Sequence, residues 1–194
     1  LVILFFSVII HEVAHGYAAL RRGDPTALRA GRLTLNPIRH IDLFGTIILP
    51  LLLVFSGSPF LFGWAAPVPV NPYNFRQPKR DMALCAAGGP LSNLLMASVA
   101  AFLLVPLAQF FPPSVLYVIR YAVFINLLLG IFNLLPIPPL DGSRILRFFL
   151  PARAALVMDR LEPYGFIIIF LLLGTGILGF ILGPLLNFFL KVLL

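Results

Sequence analysis

The feature that most constrains this chain is a series of long apolar runs at 1–20, 43–56, 82–111, 114–135 and 164–190, separated by short polar or proline-rich stretches. A helix that crosses a bilayer needs roughly 20 consecutive, mainly apolar residues. Hydrophobic residues make up 60% of the 194 residues and charged residues 11%, against about 45–50% and about 25% in a soluble domain. That balance excludes disorder, a fibrous protein and an ordinary soluble enzyme. It predicts an all-α polytopic membrane protein, a single integral-membrane domain over 1–194 built as a bundle of about five to six transmembrane helices. Residue 1 is a leucine inside an apolar run, so the natural start is expected upstream. Run 1–20 does not read as a signal peptide, because His11, Glu12 and His15 interrupt the apolar core that such a peptide needs.

The net charge is +7. In a soluble domain that would point to nucleic acid, but here the cations cluster between apolar runs, at 21–39, 76–80 and 144–160. Basic loops lie on the cytoplasmic side of a membrane, so nucleic acid is not an expected partner and the lipid bilayer is. Run 1–20 then travels inward, 82–111 outward and 114–135 back, with Arg120 the one cation against the pattern. The segment 43–75 must start and end on one side, as a re-entrant loop or as two short crossings. It contains Gly63-Trp64-Ala65-Ala66-Pro67-Val68-Pro69-Val70-Asn71-Pro72, which holds too many prolines for a helix. A re-entrant or extended segment is therefore expected near 57–75, with 63–71 forming an extended edge beside the functional site. The alternation in Leu28–Leu35 allows a short hairpin. The stretch 141–160 is amphipathic, and the C-terminal helices are expected at 164–190.

The chemistry lies in His11-Glu12-Val13-Ala14-His15, inside the first apolar run. Positions i and i+4 share one helix face, so both imidazoles reach a common metal, and Glu12 is rotated about 100° to flank it. This is the His-Glu-x-x-His arrangement with the glutamate as general base. Three ionisable groups inside an apolar span are costly to bury, and that cost points to a function. A catalytic zinc needs a third protein ligand and an open position. Cys85 is the only cysteine, so disulfides and thiolate clusters are excluded. Asp24, Asp42 and Asp81 lie among arginines and are expected to pair with them. His40 lies in a basic loop and is expected to be solvated. Asp159 and Glu162 sit in the amphipathic stretch. Asp141 follows the helix-breaking Pro136-Ile137-Pro138-Pro139-Leu140, and two roles remain open for it: metal ligand, or cap of the helix that begins there. Asn93 sits at about the same depth as His11. It is either interhelical glue or an amide donor to a developing oxyanion. Asn133 is a weaker candidate for that donor, and Asn126 reads as glue.

Taken together, His11-Glu12-Val13-Ala14-His15, Gly89-Pro90-Leu91-Ser92-Asn93 and Leu140-Asp141-Gly142 resemble the site-2 protease family of intramembrane zinc metalloproteases, in its short prokaryotic branch. Gly23-Asp24-Pro25-Thr26, Gly31-Arg32-Leu33-Thr34-Leu35-Asn36-Pro37 and the stretch 63–72 add to the likeness, which covers most of 1–150. The resemblance implies one zinc per chain held by His11, His15 and Asp141, with Glu12 activating water and Asn93 aiding the substrate or oxyanion. It implies a catalytic core at about 1–150, a transmembrane protein or peptide as substrate, and a multi-pass place in the cell membrane with the active site toward the cytoplasmic half. No PDZ-like insert is present, so recognition cannot rely on one. Two rival classes are weighed against this reading. A membrane metal-ion transporter would need several ligand stations, and the sequence offers one compact cluster. A non-catalytic membrane scaffold has no use for Glu12 between two ligands.

Overall fold

The computed structural model describes residues 2–57 and 63–194. Residues 58–62, part of the segment expected to be re-entrant, lie outside the described residues. The described chain is helical, without strands, as the apolar runs require. In order come α1 (Val2–Arg21), α2 (Thr26–Arg29), a π-helical turn at Leu43–Ile48 running into α3 (Leu49–Phe55), α4 (Pro78–Leu107), α5 (Pro113–Asn133), α6 (Asp141–Phe149), α7 (Ala152–Leu161), α8 (Gly165–Gly174) and α9 (Ile177–Leu193). Prolines open α4 and α5 within their first turn, where a missing N–H costs nothing.

Among the described residues, three helices are long and apolar enough to span a membrane: α1, α4 and α5. The C-terminal pair, Ala152–Gly174 and Ile177–Leu193, is bent by 77° and brings the count to four if it forms one broken span. This is fewer than the five to six full spans that the run lengths suggest, for two reasons. Leu43–Phe55 is too short to cross. The run 164–190 breaks where Gly176 adopts φ +77°, a conformation that only glycine enters without strain.

The three spans approach closely through glycine. A Cβ on Gly88 of α4 would stand 3.1 Å from the Ala14 carbonyl of α1, and one on Gly130 of α5 would stand 3.0 Å from Leu94 of α4. Small residues at such crossings let backbones meet where lipid gives no hydrophobic drive to helix association. The buried apolar cluster includes Ala97, Ala101, Val123, Leu127, Ile131 and Leu135, with Leu178, Leu182 and Leu186 of α9 laid against it. Large apolar side chains such as Phe102, Val105 and Phe180 stand outside it, each about four-fifths exposed, as a lipid-facing surface requires.

The loops depart from the sequence reading in three places. Leu28–Leu35 is not a hairpin: Leu28 and Arg29 end α2, a turn follows at 30–31, and 32–35 run without strand pairing. Asp24 draws the chain into that helix, accepting from the Thr26 N–H at 3.0 Å and from the Thr26 hydroxyl. Asp24 is fully buried and pairs with no arginine; it also accepts from the Asn71 N–H at 2.7 Å and the Asn74 side-chain amide at 2.7 Å. Burial acts to raise its pKa, but the hydrogen bonds from Asn74, Thr26 and Asn71 outweigh burial and hold the carboxyl below its usual range. The stability that it lends is present above the unfolded value near 3.8 and is lost as pH falls through the lower folded value. Asp42 likewise caps backbone, accepting from the Gly45 N–H at 2.6 Å. Of these three aspartates only Asp81 meets an arginine, with Arg22 at 3.9 Å. His40, expected in solvent, is fully buried and bonded through Nε2 to the Thr34 carbonyl at 2.8 Å.

The segment after α3 returns to its starting side. The Trp64 N–H donates to the Gly45 carbonyl at 3.1 Å, and the Thr46 hydroxyl donates to the Trp64 carbonyl at 2.8 Å. Residues 63–71 then run without helix or strand pairing, as their prolines dictate. Every second N–H along this strap turns inward: Trp64 to Gly45, Ala66 to the His40 carbonyl at 2.9 Å, and Val68 to the Glu12 carboxylate at 2.9 Å. Asp24 fixes its far end through Asn71.

Candidate metal centre

The site is made where α1, α4 and the start of α6 meet. One turn of α1 separates His11 from His15, and both rings face α4. Pro136–Pro139 ends α5 and turns the chain so that α6 begins at Asp141. Gly142 makes the turn fit: a Cβ there would lie 2.1 Å from the Leu134 carbonyl. Asp141 is the first residue of α6, and no side chain caps that helix. Its carboxylate points instead at the two imidazoles, which removes the capping role left open by the sequence.

His11 Nε2, His15 Nε2 and Asp141 Oδ2 form a triangle with edges of 3.0, 3.1 and 3.2 Å. All three residues are buried. The protons on the two rings are settled by what lies behind them. His15 Nδ1 stands 2.8 Å from the Cys85 carbonyl, which can only accept, so Nδ1 carries the proton. The Gly89 N–H, at 3.4 Å from the same nitrogen, is the longer and weaker contact. His11 Nδ1 donates to the Asn93 side-chain oxygen at 2.6 Å. In the neutral rings, whose single proton is on Nδ1, both Nε2 atoms present lone pairs, toward each other and toward a carboxylate oxygen. Three acceptors converging at about 3 Å repel one another unless a cation lies between them.

A metal fits these residues. Zinc–ligand bonds of about 2.0–2.1 Å in a tetrahedron put ligand atoms roughly 3.3 Å apart, close to the observed edges. The space for it depends on Gly89 of α4, where a Cβ would fall 2.4 Å from His15 Nε2 and 2.5 Å from His11 Nε2. Two imidazoles and a carboxylate are the donor set of a catalytic zinc, leaving a fourth position open.

Glu12 lies one residue after His11, half-buried, and its carboxylate is held by the Val68 N–H at 2.9 Å. The strap thus runs beside the acid, as the sequence predicts for this extended segment. Asn93 is brought to the site as well, but behind His11. Its amide nitrogen is given to the Ser7 carbonyl at 3.3 Å and the Asn126 side-chain oxygen at 2.9 Å. Asn133 bonds back to the Leu129 carbonyl of its own helix at 3.0 Å and does not join the cluster. The sequence reading misses Cys85, whose contribution is a backbone carbonyl that no residue type announces. It also misses Val68, which acts through its N–H. Gly88-Gly89 does carry a signal, that of close helix approach, though not of room for two imidazoles.

Known proteins resemble this chain in sequence. The model of peptidase family M50 matches residues 108–175, from the end of α4 through α8 and including Asp141. A Bacillus subtilis (strain 168) protein, named "Putative zinc metalloprotease YwhC", is 40% identical over 191 residues, which is 95% of this chain and 84% of that protein. The Mycolicibacterium smegmatis protein "Putative zinc metalloprotease Rip2" is 30% identical over 177 residues, 89% of this chain and 65% of that protein. "Zinc metalloprotease MJ0392" of Methanocaldococcus jannaschii is 28% identical over 151 residues, 77% of this chain and 33% of that protein. No solved structure matches the chain.

Proposed function

Because the chain belongs to peptidase family M50, the site-2 proteases, and is a zinc metalloprotease, we propose that it is an intramembrane endopeptidase that cuts within or next to transmembrane segments of membrane proteins. The observation that carries this reading is the convergence of three acceptors, His11 Nε2, His15 Nε2 and Asp141 Oδ2, inside a bundle of membrane-length helices. These three residues hold one zinc per chain. Bound there, zinc supplies a Lewis acid for the scissile carbonyl and lowers the pKa of water toward about 7. Glu12 takes the proton from the attacking water and returns it to the departing amine. The Val68 N–H orients the carboxylate for both transfers. The bundle keeps bulk water away from the ligands, which strengthens every charge interaction there.

Depth and orientation support the substrate class. His11 is ten residues from Arg21, about 15 Å along the helix, and so near the middle of a hydrocarbon core roughly 30 Å thick. The basic clusters gather at one end of the bundle: Arg22 reaches Asp81, and the Lys79 ammonium donates to the Leu150 carbonyl at 3.0 Å. Basic ends face the cytoplasm, so the site opens toward that half.

The test is metal content. Asp141→Ala should lower both zinc per chain and cleavage, since two imidazoles alone leave the ion short of a ligand. Asp42→Ala and Asp24→Ala should hold zinc like wild type, with Asp24→Ala melting lower because it removes the buried carboxylate that accepts from Thr26, Asn71 and Asn74. Metal analysis of purified protein checks both. Wild-type zinc content in Asp141→Ala would remove the carboxylate from the ligand set.

A further inference from the structure

Behind His11 lies a line of buried amides that crosses three membrane helices. His11 Nδ1 on α1 donates to Asn93 on α4, the Asn93 amide donates to Asn126 on α5, and the Asn126 amide donates to the Ala122 carbonyl at 2.9 Å. Asn93 is fully buried and Asn126 nearly so. An asparagine side chain reads equally well in two orientations unless its neighbours choose, and here they choose. Turning Asn93 over would set its oxygen against the Ser7 carbonyl, which now accepts from it at 3.3 Å. Turning Asn126 over would set its oxygen against the Ala122 carbonyl. Backbone carbonyls cannot donate, so both ends of the line are anchored and every proton along it has one place.

The geometry points to Asn93 and Asn126 as positioning residues of the metal centre: an amide relay, fixed by the carbonyls of Ser7 and Ala122, that keeps the proton of His11 on Nδ1 and so leaves Nε2 bare for the metal. The inference rests on the zinc reading above and adds the device that prepares one of its ligands. It also changes the role assigned to Asn93. An oxyanion donor needs a free amide hydrogen aimed at the reacting carbonyl, whereas both Asn93 donors are spent on Ser7 and Asn126. His15 needs no such relay, because the Cys85 carbonyl does the same work directly. The two ligands are thus held by different means, and only the His11 arm depends on side chains.

Zinc affinity, measured on the purified protein by competition with a chromophoric chelator, tests the relay independently of turnover. Asn93→Leu should bind zinc about 10–100-fold more weakly, the usual loss when a histidine ligand is deprived of its partner. Asn93→Asp keeps an acceptor for Nδ1 and, with its second oxygen protonated in this buried place, a donor to Asn126, and should stay within a few-fold of wild type. The visible spectrum of the cobalt(II)-substituted Asn93→Asp chain should match that of the wild type. Asn126→Leu should show a smaller loss, and adding it to Asn93→Leu should change nothing further, because Asn126 acts only through Asn93. Undiminished affinity in Asn93→Leu, or equal losses in Asn93→Leu and Asn93→Asp, would overturn the relay. If the leucine variant does not fold, a large affinity loss in Asn93→Asp does so alone. Wild type that takes up no zinc would instead bring down the metal reading on which the relay stands.

Discussion

Glu12→Gln is expected to lose at least about 10²-fold, and up to about 10⁴-fold, in turnover while still holding one zinc per chain. The substitution keeps the size of the side chain and an oxygen that can accept from the Val68 N–H. It removes only the group that takes and returns a proton. Glu12 is absent from the donor triangle, since the helix rotates it about 100° from His11. Metal content should therefore be untouched, in contrast to the loss expected for Asp141→Ala. Turnover and zinc per chain measured on one preparation separate the two roles. Turnover near that of wild type would mean that another group moves the proton.

The second large effect is expected at a residue with no side chain. Gly89→Ala should abolish zinc binding, with a loss at least as large as the roughly 10–100-fold that follows removal of a ligand's partner. The added methyl would fall inside 2.6 Å of both imidazoles, and nothing nearby can yield. The His11 ring is pinned by Asn93 and the His15 ring by Cys85, and moving α4 away would open its contact with α1 at Gly88 and Ala14 and stretch both of those hydrogen bonds. The methyl takes the space that the metal needs. Gly179→Ala, where a Cβ meets nothing within 4 Å, is the matched control and should leave zinc content unchanged. Full zinc affinity in Gly89→Ala would show that the rings stand farther from α4 than this account requires.

What the sequence discloses about this protein follows from how local each signal is. His11 and His15 are legible because four residues of helix place them on one face, whatever surrounds the helix. Asp141 is legible in part: the prolines announce a break, but only the packing of Gly142 under Leu134 aims the carboxylate inward. The extended strap is legible because proline forbids the alternatives. Asp24 and His40 are misread for a common reason. Each sits among arginines in the chain, yet neither is met by an arginine in space, because the strap at 64–74 comes back over the loop and buries both. Its return depends on hydrogen bonds between residues some fifty positions apart, such as Asp24 with Asn74, which no window of sequence contains. Asn93 is found at the right depth, but its direction is set by Ser7 and Asn126 on two other helices. The number of spans is overread because apolar length alone does not register the π-helical turn at Leu43–Ile48 or the bend at Gly176.

Mapping the cut tests the proposed cleavage inside the membrane. Wild-type chain and Glu12→Gln would be reconstituted into liposomes with a single-span substrate, and the products identified by mass spectrometry. The zinc-loaded wild type should cut a bond within or next to the membrane segment. Cleavage should stop when zinc is stripped by a chelator, return when zinc is restored, and be absent from Glu12→Gln. Zinc-loaded wild type that leaves every such bond intact, or Glu12→Gln cutting at the wild-type rate, would contradict it.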